Sequence, residues 1–119
     1  MKVIIAGSRG IRPTGEDSDM CFGWFDDSGF DITEVVSGGA RGIDTFGEIY
    51  AIKRNIQIKR FPANWGEYGR AAGPMRNEEM AQYADALLAI WDGKSRGTAH
   101  MIKAMGSLGK PVKVLEFGK

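Results

Sequence analysis

The sequence has few of the residues that cross-link a small protein, bind a metal or anchor a chain in a membrane. Its 119 residues include one cysteine, Cys21, which excludes an internal disulfide and is typical of an intracellular protein. The single histidine, His100, has no Cys or His neighbours at metal-site spacing. The apolar run at Val3 to Ala6 is too short for a secretory signal or a membrane span. We therefore expect a cytoplasmic protein with no membrane partner, no metal and no cofactor.

Net charge is also nearly absent. At +1 it indicates no particular partner, and 43% hydrophobic residues over 119 positions fit one globular domain spanning residues 1–119. The charge is nevertheless unevenly distributed, because residues 14–34 carry only acidic charges and residues 53–76 carry six basic residues against one Glu67. This pattern indicates either two solvated faces of opposite sign or a positive mouth for an anionic ligand.

Short apolar runs alternate with helical periodicity along the chain. The pattern predicts strands at 2–6, 32–36, 56–61, 85–91 and 112–117. It predicts helices at 17–28, 43–55, 74–84 and 98–108, with Pro74 at the first helical position and an irregular loop at 62–73. This order predicts an α/β fold: a Rossmann-like three-layer sandwich with a mainly parallel five-stranded sheet.

Glycine-rich or irregular segments follow the first four predicted strands. They are "GSRG" (7–10), "SGGARG" (37–42), "PANWGEYGRAAGPMRN" (62–77) and "DGKSRGT" (92–98). Because the carboxyl ends of parallel strands meet at one edge, all four segments are expected on the same rim of the sheet. Exposed N–H groups and helix dipoles there favour an anion, and two such turns indicate a phosphorylated or nucleotide-like ligand.

The predicted ligand-binding residues come from these four segments and the start of the second helix. Trp65, in the long loop, is expected either to stack on a base or to pack against the sheet. The predicted set is Gly7, Ser8, Arg9, Ser37, Gly38, Gly39, Arg41, Gly42, Asp44, Asn64, Trp65, Arg70, Arg76, Asn77, Asp92, Ser95, Gly97 and Thr98.

The motifs "IIAGSR", "VVSGGARGID", "AGPMRNEEM", "ADALLAIWDG" and "SRGTAHMIKAM", in this order, resemble the SLOG superfamily. That superfamily takes in the DNA-processing Smf proteins and the Lonely Guy phosphoribohydrolases, and the chain is most similar to its YspA-type, YpsA-related domains of bacteria and phages. The resemblance covers nearly the whole chain. It implies a Rossmann-like fold, a nucleotide-derived ligand on the rim, and self-association as a homodimer.

The resemblance also bears on catalysis. In the Lonely Guy enzymes an Arg in an "RK" motif and a Glu in "PGGxGTxxE" carry cleavage of a nucleoside monophosphate. Arg76-Asn77 occupies the first motif here, and Met101 stands at the Glu position of the second. Glycosidic cleavage needs charge stabilisation and proton transfer, and methionine supplies neither. The resemblance thus favours a sensor or sequestering module that binds its ligand without catalysis.

Two alternatives remain open at this stage. The first is a nucleoside-monophosphate phosphoribohydrolase, an N-glycosidase in which Arg76 holds the phosphate and Glu79 or Asp44 is the acid–base group. The second is a binder of single-stranded nucleic acid, which the basic segment 53–76 with Trp65 and Tyr68 would suit. A net charge near zero argues against strong non-specific binding of nucleic acid.

Overall fold

Five strands form one sheet in which all neighbouring strands run parallel. The computed structural model describes residues 1–117. The strands are β1 (Lys2–Gly7), β2 (Glu34–Ser37), β3 (Gln57–Arg60), β4 (Ala86–Trp91) and β5 (Val112–Glu116). Their order across the sheet is β3-β2-β1-β4-β5. The predicted α/β class and the five-stranded parallel sheet are confirmed.

The helices cover both faces of this sheet. They are α1 (Gly15–Asp26), α2 (Ile43–Lys53), α3 (Trp65–Tyr68), α4 (Ala72–Tyr83) and α5 (Arg96–Ser107), with a short 3-10 helix at Gly69–Ala71. One core cluster joins α1 and α2 to side chains of one sheet face, and a second joins α4 and α5 to the other. Alternate β-strand side chains point to opposite faces, so Val3 and Ile5 join the first cluster and Ile4 and Ala6 the second.

The interior strand β4 has a sequence pattern that predicts its place in the sheet. Residues 86–90 of β4 are fully buried, and β4 pairs with β1 from Val3↔Ala86 to Gly7↔Ile90. A parallel strand covered on both faces needs a continuous apolar run, and "ALLAIW" supplies it.

The loop predicted at 62–73 is largely helical. Trp65–Tyr68 forms α3, and α4 begins at Ala72 and not at Pro74, so Pro74 occupies the third helical position. The first four N–H groups of a helix have no intrahelical acceptor, so a proline is tolerated anywhere in that turn. The helices α1 and α5 also begin two residues earlier than predicted, at Gly15 and Arg96.

None of the helices within residues 1–117 combines the length and the apolar character needed to cross a bilayer.

Candidate functional site

A cavity of about 340 Å³ lies beyond the carboxyl ends of β1 and β4. The chain builds the sheet outward in opposite directions from these two strands, and ligands of open α/β sheets bind at such a switch point. We call this the inner cavity. Its lining residues are Ala6, Gly7, Arg9, Gly38, Ala40, Asp44, Arg76, Asn77, Met80, Ser95, Gly97, Thr98 and Met101.

Arg76, on α4, is the half-buried cation of the inner cavity. Its Nη1 donates to the carbonyl oxygen of Gly38 at 2.6 Å, and its Nε donates to Oδ1 of Asn77 at 3.0 Å. Burial lowers the pKa of Arg76, while the nearby Asp44 opposes that shift. A guanidinium has five N–H donors, so these two bonds leave donors for an anionic ligand.

Asp44 is the buried carboxyl of the inner cavity. It is the second residue of α2 and only 6% exposed, and its Oδ2 accepts from the Ala40 N–H at 3.1 Å. Burial raises the pKa of Asp44, although the Ala40 hydrogen bond and the charges of Arg76 and Arg9 pull in the opposite direction. The site therefore holds a carboxyl group that binds its proton more readily than an exposed one.

Gly38 leaves room for both of these charged groups beside the backbone. A Cβ at Gly38 would lie 2.7 Å from Nη1 of Arg76 and 2.8 Å from Oδ2 of Asp44. Any larger residue would displace the guanidinium or the carboxylate. The first glycine of "VVSGG", Gly38, is thus required because the Arg76 and Asp44 side chains lie against its backbone.

The N-terminus of α5 forms the opposite wall. Ser95 is its N-cap residue, and Gly97 and Thr98 lie in its first turn. Oδ1 of Asp92 accepts from the N–H groups of Lys94 and Ser95, both at 2.8 Å, which fixes the loop before the helix and lowers the pKa of Asp92. The first-turn N–H groups of a helix carry partial positive charge and lack intrahelical acceptors. This wall, Arg76 and the exposed Arg9 are the cationic elements of the inner cavity.

A second cavity of about 360 Å³ adjoins the first, and we call it the outer cavity. The two share Arg9, Gly38, Ala40 and Arg76. The outer cavity adds Gly39, Arg41, Pro62, Ala63 and Trp65. Trp65 remains half exposed, and the guanidinium carbon of Arg9 lies 5.9 Å from the centroid of its ring.

Six predicted site residues lie elsewhere. The Ser8 hydroxyl accepts from the Asp92 N–H at 3.1 Å, and the Ser37 hydroxyl donates to Glu48 at 2.7 Å, so both buried serines support the backbone or the scaffold. Asn64 caps α3, Arg70 is exposed, and Asp92 shapes its own loop. Gly42 lines a separate cavity with Phe46 and Ile49.

The "SGGARG" turn also differs from the anion-binding turn expected of it. The Gly39 N–H donates to Ser37 and the Ala40 N–H donates to Asp44, so these two donors are satisfied by the protein. Glu79, the alternative acid–base residue, is exposed on α4 and does not line either cavity.

Besides the half-buried Ala40, three buried apolar lining residues of the inner cavity are absent from the predicted set: Ala6, Met80 and Met101. Their periodicity indicates core positions, and they are indeed buried, but they also border the cavity. Of these residues, only Met101 was linked to a ligand site by the sequence, because it stands where the Lonely Guy motif has its Glu. His100 lies next to it, with Nδ1 3.3 Å from Nδ2 of Asn77. In the described part of the chain, no cluster of three His, Cys, Asp or Glu is arranged to hold a metal ion.

No family model matches the chain. It is 37% identical over 90 residues to the Gene 61 protein of Mycobacterium phage D29, an alignment that covers 71% of this chain and 70% of the phage protein. The chain belongs to the family of that Gene 61 protein.

A solved structure carries the same fold as this Gene 61 family member. The X-ray structure of DNA processing protein A (DprA) from Streptococcus pneumoniae superposes with a TM-score of 0.75 at 16% identity, over 98% of this chain. The chain spans half the length of the DprA chain. The likeness shows a shared fold, the Rossmann-like α/β arrangement described above.

Proposed function

We propose that this chain is a binding domain for a phosphate-bearing, nucleotide-derived small molecule, and that it acts as a sensor or sequestering module. The observation that carries the proposal is that half-buried Arg76 and the first turn of α5 line one cavity at the sheet's switch point. Planar guanidinium donors and helix N-termini are both suited to phosphate oxygens. A volume of about 340 Å³ falls at the small end of ligand pockets.

Asp44 favours a sugar phosphate over a bare phosphate. A carboxylate beside an anion is repulsive, yet carboxylates in dinucleotide sites accept hydrogen bonds from ribose hydroxyls. Asp44 lines the same cavity as Arg76 and is held by the Ala40 N–H. A ribose phosphate would place its phosphate at Arg76 and α5 and its hydroxyl groups at Asp44.

The lining favours binding over turnover. Met101 borders the inner cavity where the Lonely Guy motif has its catalytic Glu, and the described lining contains a single carboxyl, Asp44. Cleavage of a glycosidic bond commonly uses two carboxyl groups with separate roles. The inner cavity therefore has groups that can bind an anion but lacks the second carboxyl group that cleavage commonly uses.

Titration calorimetry with ribose 5-phosphate and AMP tests this proposal. We expect binding by the native protein and an affinity about 10- to 100-fold weaker in Arg76→Ala, the usual range for a charge-assisted contact. Arg54→Ala is the matched control, because Arg54 pairs with Asp26 away from the cavities and its loss should leave binding unchanged. If neither compound binds at millimolar concentration, the proposal is contradicted.

A phosphoribohydrolase is the second candidate, and one observation favours it. The pKa of Asp44 is raised by burial, which suits a general acid that protonates a leaving base. Incubation with purine and pyrimidine nucleoside monophosphates tests it. Release of free base that is lost in both Asp44→Asn and Arg76→Ala would support this candidate, and no release from any of them would remove it.

Nucleic acid is a further ligand class to test, since the fold is shared with a protein named for DNA processing. The predicted basic segment includes Arg60, whose charge is paired with Glu48, which weakens the case for a long basic track. A mobility shift with a single-stranded oligonucleotide distinguishes the two ligand classes, and we expect no shift at physiological salt.

The SLOG resemblance supports three further proposals: a YspA-type member, a cytoplasmic location and a homodimer. Analytical ultracentrifugation tests the dimer directly.

A further inference from the structure

We infer that the outer cavity is the base subsite of the same ligand, with a nucleobase stacked on Trp65. This inference rests on the proposed function, because it assigns the phosphate to the inner cavity. The ligand class is then a nucleotide that keeps its base, and the base occupies the outer cavity.

The first step is the continuity of the two cavities. They share Arg9, Gly38, Ala40 and Arg76, so a molecule that fills the inner cavity can continue past Arg76 into the outer one. Their volumes, about 340 Å³ and about 360 Å³, are comparable. The site therefore has room for a second ring system beyond a ribose phosphate.

The second step is the way in which Trp65 is held. It opens the single-turn helix α3, which Asn64 caps by accepting from the Glu67 N–H. One edge of the indole lies against α4, because a Cβ at Gly73 would be 3.1 Å from its Cη2. The residue is nevertheless 49% exposed. The ring is thus positioned by the protein and still accessible, as a stacking platform must be.

The third step is the charge around that ring. Arg9, Arg41 and Arg76 line the outer cavity and no carboxylate does. The Arg9 guanidinium lies 5.9 Å from the centroid of the indole. Bases stack on both aromatic rings and guanidinium planes, so this set suits a flat, electron-rich base attached to an anion.

Tyr68 provides an internal comparison. It lies on the same short helix and is 45% exposed, close to the value for Trp65, but it lines neither cavity. If Trp65→Ala weakened binding only by disturbing α3, Tyr68→Ala would therefore weaken binding as well.

The test compares AMP with ribose 5-phosphate, which lacks the base, by calorimetry on the full chain. We expect the native protein to bind AMP more tightly, by about 5- to 100-fold, the range for one base stacked on an aromatic side chain. Trp65→Ala should abolish this preference while ribose 5-phosphate still binds. Trp65→Phe should retain part of the preference, and Tyr68→Ala should retain all of it.

Fluorescence gives a second readout that does not depend on the alanine variant folding. Trp65 is the exposed one of the three tryptophans, so a stacked base should quench native fluorescence, and Trp65→Phe should remove the quenching. Equal affinity for AMP and ribose 5-phosphate, or a preference that survives in Trp65→Ala, would overturn the base subsite and leave the proposed function standing. Failure of both compounds to bind would overturn both.

Discussion

The face of the sheet covered by α1 and α2 is packed with aromatic rings, whereas the face covered by α4 and α5 is packed with methionine and alanine. Phe25 contacts Tyr50 with ring centroids 4.9 Å apart, and Phe22 contacts Phe46 at the same distance. The other face relies on side chains such as Met80 and Met101. Aromatic rings have few rotamers and large buried area, while methionine adapts its shape to its neighbours.

The cavity borders only the second of these cores. Met80, Met101 and Ala6 belong to the methionine-rich cluster and also line the inner cavity. The aromatic cluster contributes no residue to that cavity. The aromatic face therefore packs only within the core, while the methionine-rich face also leaves an adaptable apolar wall beside the charged groups that would meet a ligand.

Two carboxyl groups show the same contrast. Asp26, on the aromatic side, accepts from Tyr50 at 2.6 Å and from Arg54 at 2.8 and 3.2 Å, and the Arg54 hydrogen bonds lower its pKa. The pKa of Asp44, at the cavity, is raised by burial. The charge of Asp26 is stabilised by its hydrogen-bond partners. The partners of Asp44 do not fully offset the cost of burying its charge, as is common at binding sites.

The largest expected effect comes from breaking the aromatic face. Phe25 is fully buried, so Phe25→Ala removes a ring and leaves a void, which costs about 3–5 kcal/mol in free energy of unfolding. Met80→Leu on the other face nearly conserves volume and should cost less than about 1.5 kcal/mol. Urea denaturation measures both. A loss below about 3 kcal/mol in Phe25→Ala, or one above about 1.5 kcal/mol in Met80→Leu, would contradict a tightly packed aromatic face and an adaptable methionine-rich face.

An intermediate effect is expected at Gly38. The added Cβ of Gly38→Ala must displace the Arg76 guanidinium or the Asp44 carboxylate, at a cost of about 1–3 kcal/mol in stability. Binding of ribose 5-phosphate should weaken as much as in Arg76→Ala, because the cation is moved. Gly10→Ala is the control, since no atom lies within 4 Å of a Cβ there and neither stability nor binding should change much. Native binding by Gly38→Ala would refute the proposed geometry.

The smallest effect concerns the pH dependence of stability. A raised pKa means that charged Asp44 lowers stability at neutral pH, and this cost disappears as the pH falls through the raised value toward 3.8. Asp44→Asn should therefore stabilise the protein at pH 7, with a gain that shrinks on acidification.

Asp26→Asn should do the reverse. Its lowered pKa gives stability that is present above 3.8 and lost as the pH falls through the lowered value. The loss at pH 7 should be modest, because solvent screens this partly exposed pair. Urea denaturation of both variants from pH 7 to pH 3 measures the two trends. If Asp44→Asn and Asp26→Asn changed the free energy of unfolding in the same direction at pH 7, the contrast between these two carboxyl groups would be contradicted.

Much of the fold was predictable because the sheet imposes its own periodicity. The apolar run that forms β4 and the alternation of strands with helices were sufficient for the architecture. Helix starts at Gly15 and Arg96 were missed by two residues, because the first residues of both helices are exposed and carry no apolar signal. The start of α4 at the buried Ala72 was missed because Pro74 was placed at the first helical position, although a first turn accepts proline at several positions.

The candidate site was predictable as a rim and less so residue by residue. Strand ends identify Gly38, Arg76 and Thr98 as neighbours, and the inner cavity brings them together. The local pattern of residues does not show which way a serine at the rim points, so Ser8 and Ser37 could not be recognised as buried supports. Met80 has the helical periodicity of a core residue, and periodicity cannot show that a buried residue also borders a cavity.

The most direct measurement is a crystal structure of the protein with AMP. We expect the phosphate within hydrogen-bonding distance of the Arg76 guanidinium and the first turn of α5, with the adenine against Trp65. A phosphate bound elsewhere, or a saturated crystal in which both cavities stay free of AMP, would contradict it.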